Sequence, residues 1–426
     1  MRRPELDYIL STMLDSAKES GSVVSGKKAV SDFNFTVDKP LQVEQSSELN
    51  PVYTNPPIAS LTPYQVETIA LNLINGNPRL TEDLLRTGSC DSGYTLADLA
   101  RFRVNIFTQR SNVSVVMRKL NTEVPTVEAL NLPSIFKEMA KEKMGMVLVT
   151  GATGSGKSTT TAALINHINE SRSVHVVTLE DPVEFVHPQK RSTINQRELG
   201  NDFSDFPTGL RAALRQAPKI IFVGEMRDRS TVEIALSAAE TGHLVMSTLH
   251  TIDAGQTINR ILGLFEPEEQ EQVRFRLADT LRWVVSQRLA PRIGGGRYAL
   301  LEIMGNNLRT KETIVQGESE GKSFYEIITA SETFGWKTFD TACLEAYEEN
   351  IITEENALLF ASKRGWVARG IDNIKKKRGE DVSQFSDLKM RTPERQEHNV
   401  SKSNGAAKPR TAAAAVAAAP PILKLK

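Results

Sequence analysis

Apolar and polar positions change rhythm along the 426-residue chain, and each rhythm predicts a different kind of element. Leu6, Ile9, Leu10, Met13, Leu14 and Ala17 recur at helical spacing, which predicts an N-terminal helix with one apolar face. Packing on its own domain accounts for that face more simply than a membrane or a partner helix. A period of two follows in Asp32–Val37, and a Lys39–Pro40 turn leads into Leu41 and Val43. Glu44–Pro57 is polar and proline-bearing and reads as a loop, while Ser60–Leu73 and Thr81–Arg86 read as helices. Phe102, Val104 and Ile106 then alternate with Arg101, Arg103 and Asn105, and Val113–Arg118 returns after a turn at Gln109–Asn112. Paired strands with helices elsewhere predict a small α+β domain over residues 1–121, followed by a linker over 122–132.

From Pro133 the pattern becomes strands alternating with helices. Apolar runs at Met146–Thr150, Val174–Leu179, Ile220–Val223, Leu244–Thr248 and Tyr298–Ile303 predict a mostly parallel sheet with helices on both faces. The fold class is α/β. Helices at Thr338–Glu349 and Thr353–Arg364 carry this second domain to residue 370. The basic run Lys375–Arg378 then opens a low-complexity tail over 371–426. Beyond about residue 380 large apolar side chains are too few to offset the entropy of ordering, so disorder is expected. No internal repeat is present.

Composition narrows the function classes. Lys+Arg and Asp+Glu both number 52, so the formal charge is zero and bulk attraction to nucleic acid or anionic lipid is not expected. Cys90 and Cys343 are the only cysteines, which excludes a disulfide framework or a C-x-x-C metal site and suits a reducing cytosol. No run reaches the length of a membrane span, and the alanine-rich Thr411–Pro420 is too short and too weakly apolar. These features lead to the expectation of a cytoplasmic protein without membrane insertion.

One contiguous stretch carries the chemistry. Gly151-Ala152-Thr153-Gly154-Ser155-Gly156-Lys157-Ser158-Thr159 fits the phosphate-loop pattern G-x-x-x-x-G-K-[ST]. An apolar run precedes it, and Ala162, Ala163, Leu164, Ile165 and Ile168 follow at helical spacing, a context that a chance glycine-rich turn lacks. Glycines let backbone N–H groups point at phosphate oxygens, and the following helix turns its positive end to the same anion. Lys157 is placed to reach the β- and γ-phosphates of a nucleotide, and the Ser158 hydroxyl to ligate Mg2+.

In a doubly wound sheet the residues just past each strand face the ligand. One strand ends in Glu180-Asp181-Pro182-Val183-Glu184 and another in Gly224-Glu225-Met226-Arg227-Asp228. Hydrolysis of a phosphoanhydride needs a held metal ion and a carboxylate that positions water. Glu225 has the position of the acid serving both. Glu184 is the second candidate for orienting water, with Glu180 and Asp181 as alternatives. Helix capping explains any one of these acids but not acids at two strand ends beside a phosphate loop. His243 and His250 flank Leu244–Thr248, seven residues apart. At roughly 3.3 Å per residue that is about 23 Å, on opposite faces, so they share no metal. His243 reads as structural or intersubunit.

Taken together, these motifs resemble the secretion ATPase superfamily and, within it, the type IV pilus retraction (twitching-motility) ATPases, over about residues 1–370. The likeness rests on the phosphate loop, an acidic box at Thr178–His187, the Val223–Asp228 segment, a histidine box from Glu240–His243 through Thr248–Thr251, and Arg101–Asn105 in the N-terminal domain. It implies a PAS-like N-terminal domain, a RecA-like ATPase domain, and ATP with Mg2+. It further implies a homohexamer at the cytoplasmic base of a pilus, an inner-membrane platform protein as partner, and a second pilus motor ATPase alongside. It makes His250 a sensor of the γ-phosphate or its water. ATP would sit between the domains, with Arg101 and Arg103 completing the site; from the residues alone, that strand face suits solvent equally well. Two cysteines cannot form the four-cysteine zinc element of the extension members, which favours retraction over assembly. The A-I-R-N-L-I-R-E motif of the retraction motors is replaced here by Asn307–Gln316. A motor powering retraction and an accessory nucleotide-binding subunit that assists a primary motor, or an ATPase of a related secretion system, are therefore both expected readings. A nucleic-acid translocase is disfavoured by the neutral charge and the lack of an aromatic-basic segment.

Overall fold

The computed structural model describes residues 3–19, 30–45, 48–97, 99–120 and 123–380. The tail expected to be disordered from about 380 lies almost entirely outside the described residues. The first sheet contains β1 (Val30–Phe35), β2 (Gln42–Gln45), β3 (Glu48–Pro51), β4 (Ser89–Leu96), β5 (Ala100–Gln109) and β6 (Asn112–Leu120). They pair antiparallel in the order β3-β2-β1-β6-β5-β4. Three helices, α1 (Arg3–Glu19), α2 (Pro63–Ile74) and α3 (Pro78–Thr87), accompany it. The period-two reading was physically sound: Phe33, Phe35, Phe102, Val104, Ile106, Val115 and Met117 are all buried. Leu6, Leu10 and Met13 of α1 and Val66, Ile69 and Ala70 of α2 complete that core. Arg110 and Ser111 form the predicted turn, both in the left-handed region, which matches the twist of the strands they join.

Two differences arise here. The supposed loop Glu44–Pro57 contains the end of β2 and all of β3, a short polar edge strand held to β2 by backbone pairing rather than by an apolar face. The strand β4 differs from the sequence expectation because its inward positions are Cys90, Ser92, Tyr94 and Leu96, mostly small or half-polar groups that make a weak period-two signal.

The second sheet is built from β7 (Gly145–Thr150), β8 (His175–Glu180), β9 (Thr193–Glu198), β10 (Ile220–Val223), β11 (Leu244–Leu249), β12 (Leu281–Pro291) and β13 (Arg297–Gly305). Its order is β13-β12-β7-β11-β10-β8-β9, and every pair is parallel except the β12–β13 hairpin. Side chains alternate between two cores. Met146, Leu148, Ile221 and Val245 meet α6 (Phe206–Ala213), α7 (Arg229–Glu240), α8 (Ala254–Leu262) and α9 (Pro267–Thr280) on one face. Val147, Val149, Phe222 and Met246 meet α4 (Ile135–Met139) and α5 (Lys157–Ser171) on the other, where Val127 and Leu132 are also buried. The strands β9 and β12 were not predicted. In β9 only Ile194 is apolar, and β12 mixes Arg, Ser and Gln into its run.

The chain closes with α10 (Leu308–Gln316), α11 (Phe324–Thr329), α12 (Phe339–Glu348), α13 (Glu354–Phe360) and α14 (Arg364–Arg378). The expected single helix Thr353–Arg364 is instead broken before α14, where buried Asp340 accepts the N–H groups of Ser362 and Lys363 at 2.7 and 2.9 Å. The basic run at 375–378 does not open the tail. It forms the last turn of α14, where cations suit the negative helix end, and Lys375 pairs with Glu354 at 2.6 Å.

Candidate active site

The phosphate loop joins β7 to α5. Gly156 is the residue before α5 and has φ 90°, so the helix opens on a left-handed glycine. A Cβ there would lie 2.7 Å from Gln287 Nε2, and one on Gly151 would lie 2.5 Å from the Gln287 carbonyl oxygen. Gln287 of β12 also accepts the Thr160 hydroxyl at 2.7 Å. The loop therefore lies close against β12, with no room for a side chain at these two glycines. Gln287 is a supporting residue that the sequence did not reveal, because its strand has no simple period.

Lys157 is buried, with Nζ donating to the carbonyls of Gly151 (2.9 Å) and Ala152 (3.1 Å). Burial lowers its pKa, while the nearby charges of Glu225 and Glu184 raise it. The ammonium is thus caged by its own loop and faces two carboxylates.

β8, β10 and β11 run parallel in register, Leu179 beside Val223 beside Ser247. Their carboxyl ends consequently finish at one level, over the phosphate loop. Glu225 Oε2 lies 3.2 Å from His250 Nε2 and accepts Arg227 Nη2 at 2.8 Å. His250 Nδ1 in turn lies 3.4 Å from the Thr153 hydroxyl of the phosphate loop. Burial pushes the Glu225 carboxyl upward, but the hydrogen bond and charge of Arg227, with His250 adding, hold it below its usual value. Glu225 is therefore an anion at neutral pH, poised to serve a cation. His243 sits at the opposite end of β11, its Nδ1 3.0 Å from the Ala238 carbonyl oxygen.

A cleft of about 670 Å³ joins these groups to the N-terminal domain. Thr153, Gly154, Lys157, Ser158, Glu184, Glu225 and His250 line one side, and Arg79, Asp83, Asp91 and Arg103 line the other. Gly151, Ser155, Gly156 and Thr159 shape the loop and the helix start behind that lining. Ser158 and Glu225 present a hydroxyl and a carboxylate to the same space, hard oxygen donors of the kind Mg2+ takes.

The two arginines expected to act together have different surroundings. Arg103 lines the cleft, half exposed, 3.9 Å from Asp91. Arg101 is a half-buried clamp instead. It donates to Glu198 Oε2 of β9 at 2.5 Å, to the Val183 carbonyl at 2.9 Å and to the Thr95 hydroxyl at 2.9 Å. Beside it, Asn77 Nδ2 donates to the Gly200 carbonyl at 3.1 Å. The bonds to Glu198, Val183 and Gly200 dock the two domains.

Of the alternative acids, Asp181 lines the cleft with its pKa raised by burial. Glu180 accepts Thr178 Oγ1 at 2.6 Å and Gln196 Nε2 at 3.0 Å, yet burial outweighs both bonds and pushes it up to about 7. Because the fold favours the protonated form, its contribution to stability is full below the unfolded value near 4.5 and is lost as pH rises through about 7. Glu180→Gln should therefore gain melting temperature over the native chain at about pH 8 and much less at about pH 5. An equal difference at both pH values would contradict the burial argument.

A phosphate loop with a carboxylate and a histidine on adjoining parallel strand ends defines a P-loop ATPase. Residues 95–339 match the family described as "Type II/IV secretion system protein". The chain is 38% identical over 334 residues to the type IV pilus retraction ATPase PilT of Pseudomonas aeruginosa, covering 78% of this chain and 94% of that protein. It is 36% identical over 336 residues to the type IV pilus ATPase PilU of the same organism, covering 79% and 86%. The crystal structure of the pilus retraction motor PilT with bound ADP superimposes with a TM-score of 0.73 at 36% identity, covering 85% of this chain and 98% of that one. The chain belongs to the type II/IV secretion system family, among its pilus retraction ATPases, and is an ATP hydrolase.

Proposed function

We propose that the chain is a homohexameric, Mg2+-dependent motor that drives type IV pilus retraction from the cytoplasmic side of the inner membrane. The observation that carries this is the cleft in which Glu225, His250 and Thr153 converge opposite Arg103 of the other domain. Ser158 and Glu225 would hold Mg2+, which supplies charge to the β- and γ-phosphates. Lys157 exchanges its loop carbonyls for phosphate oxygens. Glu225 and Glu184 orient the attacking water, His250 reports on the γ-phosphate through its link to Glu225, and Arg103 meets charge developing on the transferred group. Residues 122–132 serve as the linker between the domain of residues 1–121 and the ATPase domain. The partner is an inner-membrane platform protein. Among the described residues no helix is long and apolar enough to cross a membrane.

A second reading is favoured by α10. This helix stands where retraction motors carry their arginine-rich motif, and it packs on α9 through Ile314, with Lys311 on Asp279 at 3.0 Å and Leu308 fully in solvent. Such a surface suits an accessory motor that keeps its ATPase core and assists a primary one. Cells holding this chain as their only retraction ATPase decide between the two. Full retraction force supports the independent motor, and weak retraction restored by a second motor supports the accessory. Purified protein without Mg2+-dependent turnover, or remaining monomeric with ATP, would overturn both.

A further inference from the structure

Glu302 lies in the middle of β13, buried, and does not line the cleft. Its Oε1 accepts the backbone N–H of Ala254 at 3.0 Å. Ala254 is the first residue of α8, and the cap Asp253 accepts Gln256 N–H at 2.7 Å from within the same turn. The first N–H groups of a helix have no partner inside it, so a buried helix start must find acceptors elsewhere. Here one acceptor comes from the helix cap and another from a strand across the sheet.

This pinned helix start has a specific neighbour. Strand β11 ends at Leu249 and α8 begins at Ala254, so only residues 250–253 span the gap. His250 is the first of them. Thr251 is fixed as well, its hydroxyl 2.7 Å from that of Thr257 in α8. The segment that carries His250 is thus strung between a buried strand end and a helix turn whose position Glu302 sets. The positive N-terminal end of α8 and the Ala254 N–H favour a carboxylate here, but burial outweighs them and pushes the Glu302 carboxyl up to about 7. Asp253 adds to that rise, and Arg288 opposes it more weakly.

We infer that Glu302 is a positioning residue for hydrolysis, holding His250 against Glu225 by anchoring the first N–H of α8. This rests on the reading that His250 serves the γ-phosphate. Displacing a group by an ångström or less at a reacting centre is enough to cost orders of magnitude in rate while leaving binding intact.

Steady-state ATP hydrolysis by the full chain tests it. Glu302→Ala should lower kcat about tenfold to a hundredfold with KM and ring mass unchanged. Glu302→Gln, whose amide oxygen can accept the same N–H, should recover most of the rate. Ala254→Pro removes the donor while keeping Glu302. Proline is tolerated at a first helical position, and Asp253, with φ −157° and ψ 173°, already has the extended backbone that a residue before proline needs. It should reproduce the loss, and combining it with Glu302→Ala should add little. A folded Glu302→Ala protein with native kcat, a glutamine variant as slow as the alanine one, or losses that multiply in the double variant would each overturn the inference. If Glu302→Ala does not fold, native kcat in Ala254→Pro overturns it instead. His250→Ala separates the two levels. Native turnover there removes the reading of the site itself, whereas a slow His250→Ala beside fast Glu302 and Ala254 variants removes only the role of Glu302.

Discussion

Glu225→Gln is expected to leave ATP bound while turnover falls by about 10²–10³-fold. Glutamine preserves the shape of the side chain and an oxygen for His250 and Arg227, which lie 3.2 and 2.8 Å away. It removes the negative charge that those two groups stabilise and that a metal ion and its water would use. Lys157→Ala should fail at the earlier step and lose nucleotide affinity, since its ammonium is held at the loop by the Gly151 and Ala152 carbonyls. Equilibrium binding of a labelled nucleotide and a phosphate-release assay separate the two defects. Turnover by Glu225→Gln within a few-fold of native would remove Glu225 from the reaction, and tight binding by Lys157→Ala would remove the lysine from the phosphates.

The second large effect concerns a pair of arginines two positions apart. Arg103→Ala is expected to slow hydrolysis by about 10³-fold, as loss of a cation from the transferred phosphoryl group does, with the domains still docked. Arg101→Ala should act on architecture. It leaves Glu198 buried without its cation, and breaking such a pair costs about 2 to 4 kcal/mol. Distances between spin labels on the two domains should broaden in Arg101→Ala and remain native in Arg103→Ala. The reverse pattern, or equal effects on both measurements, would show that the two arginines share one role.

That pair also marks where sequence reasoning stops. Residues 101 and 103 share one face of a strand, so alternation treats them alike. What separates them is Glu198, a partner 97 positions away on β9. The β9 strand has a single apolar residue and could not be seen from its rhythm. The same holds for Gln287, which lies on the irregular β12 and touches the phosphate loop only after the sheet has formed. By contrast, the phosphate loop was legible because its donors are contiguous in sequence. Glu225 and Glu184 were legible because parallel strands deliver their carboxyl ends to one edge. Local spacing reveals groups that act within one turn, and tertiary pairing hides the groups that hold them.

The cleft has one wall in the ATPase domain, carrying Lys157 and Glu225, and the other in the N-terminal domain, carrying Arg79 and Arg103. In the proposed motor, parting of those walls would release ADP, and the Arg101–Glu198 clamp resists that parting. Fuel consumption and mechanical stroke therefore meet at one joint. An opposing pull that keeps the joint shut should delay product exit, so a stalled machine is expected to stop burning ATP rather than idle. Hydrolysis measured under increasing opposing force should fall along with speed, and a constant rate at stall would mean that ADP escapes without the joint opening.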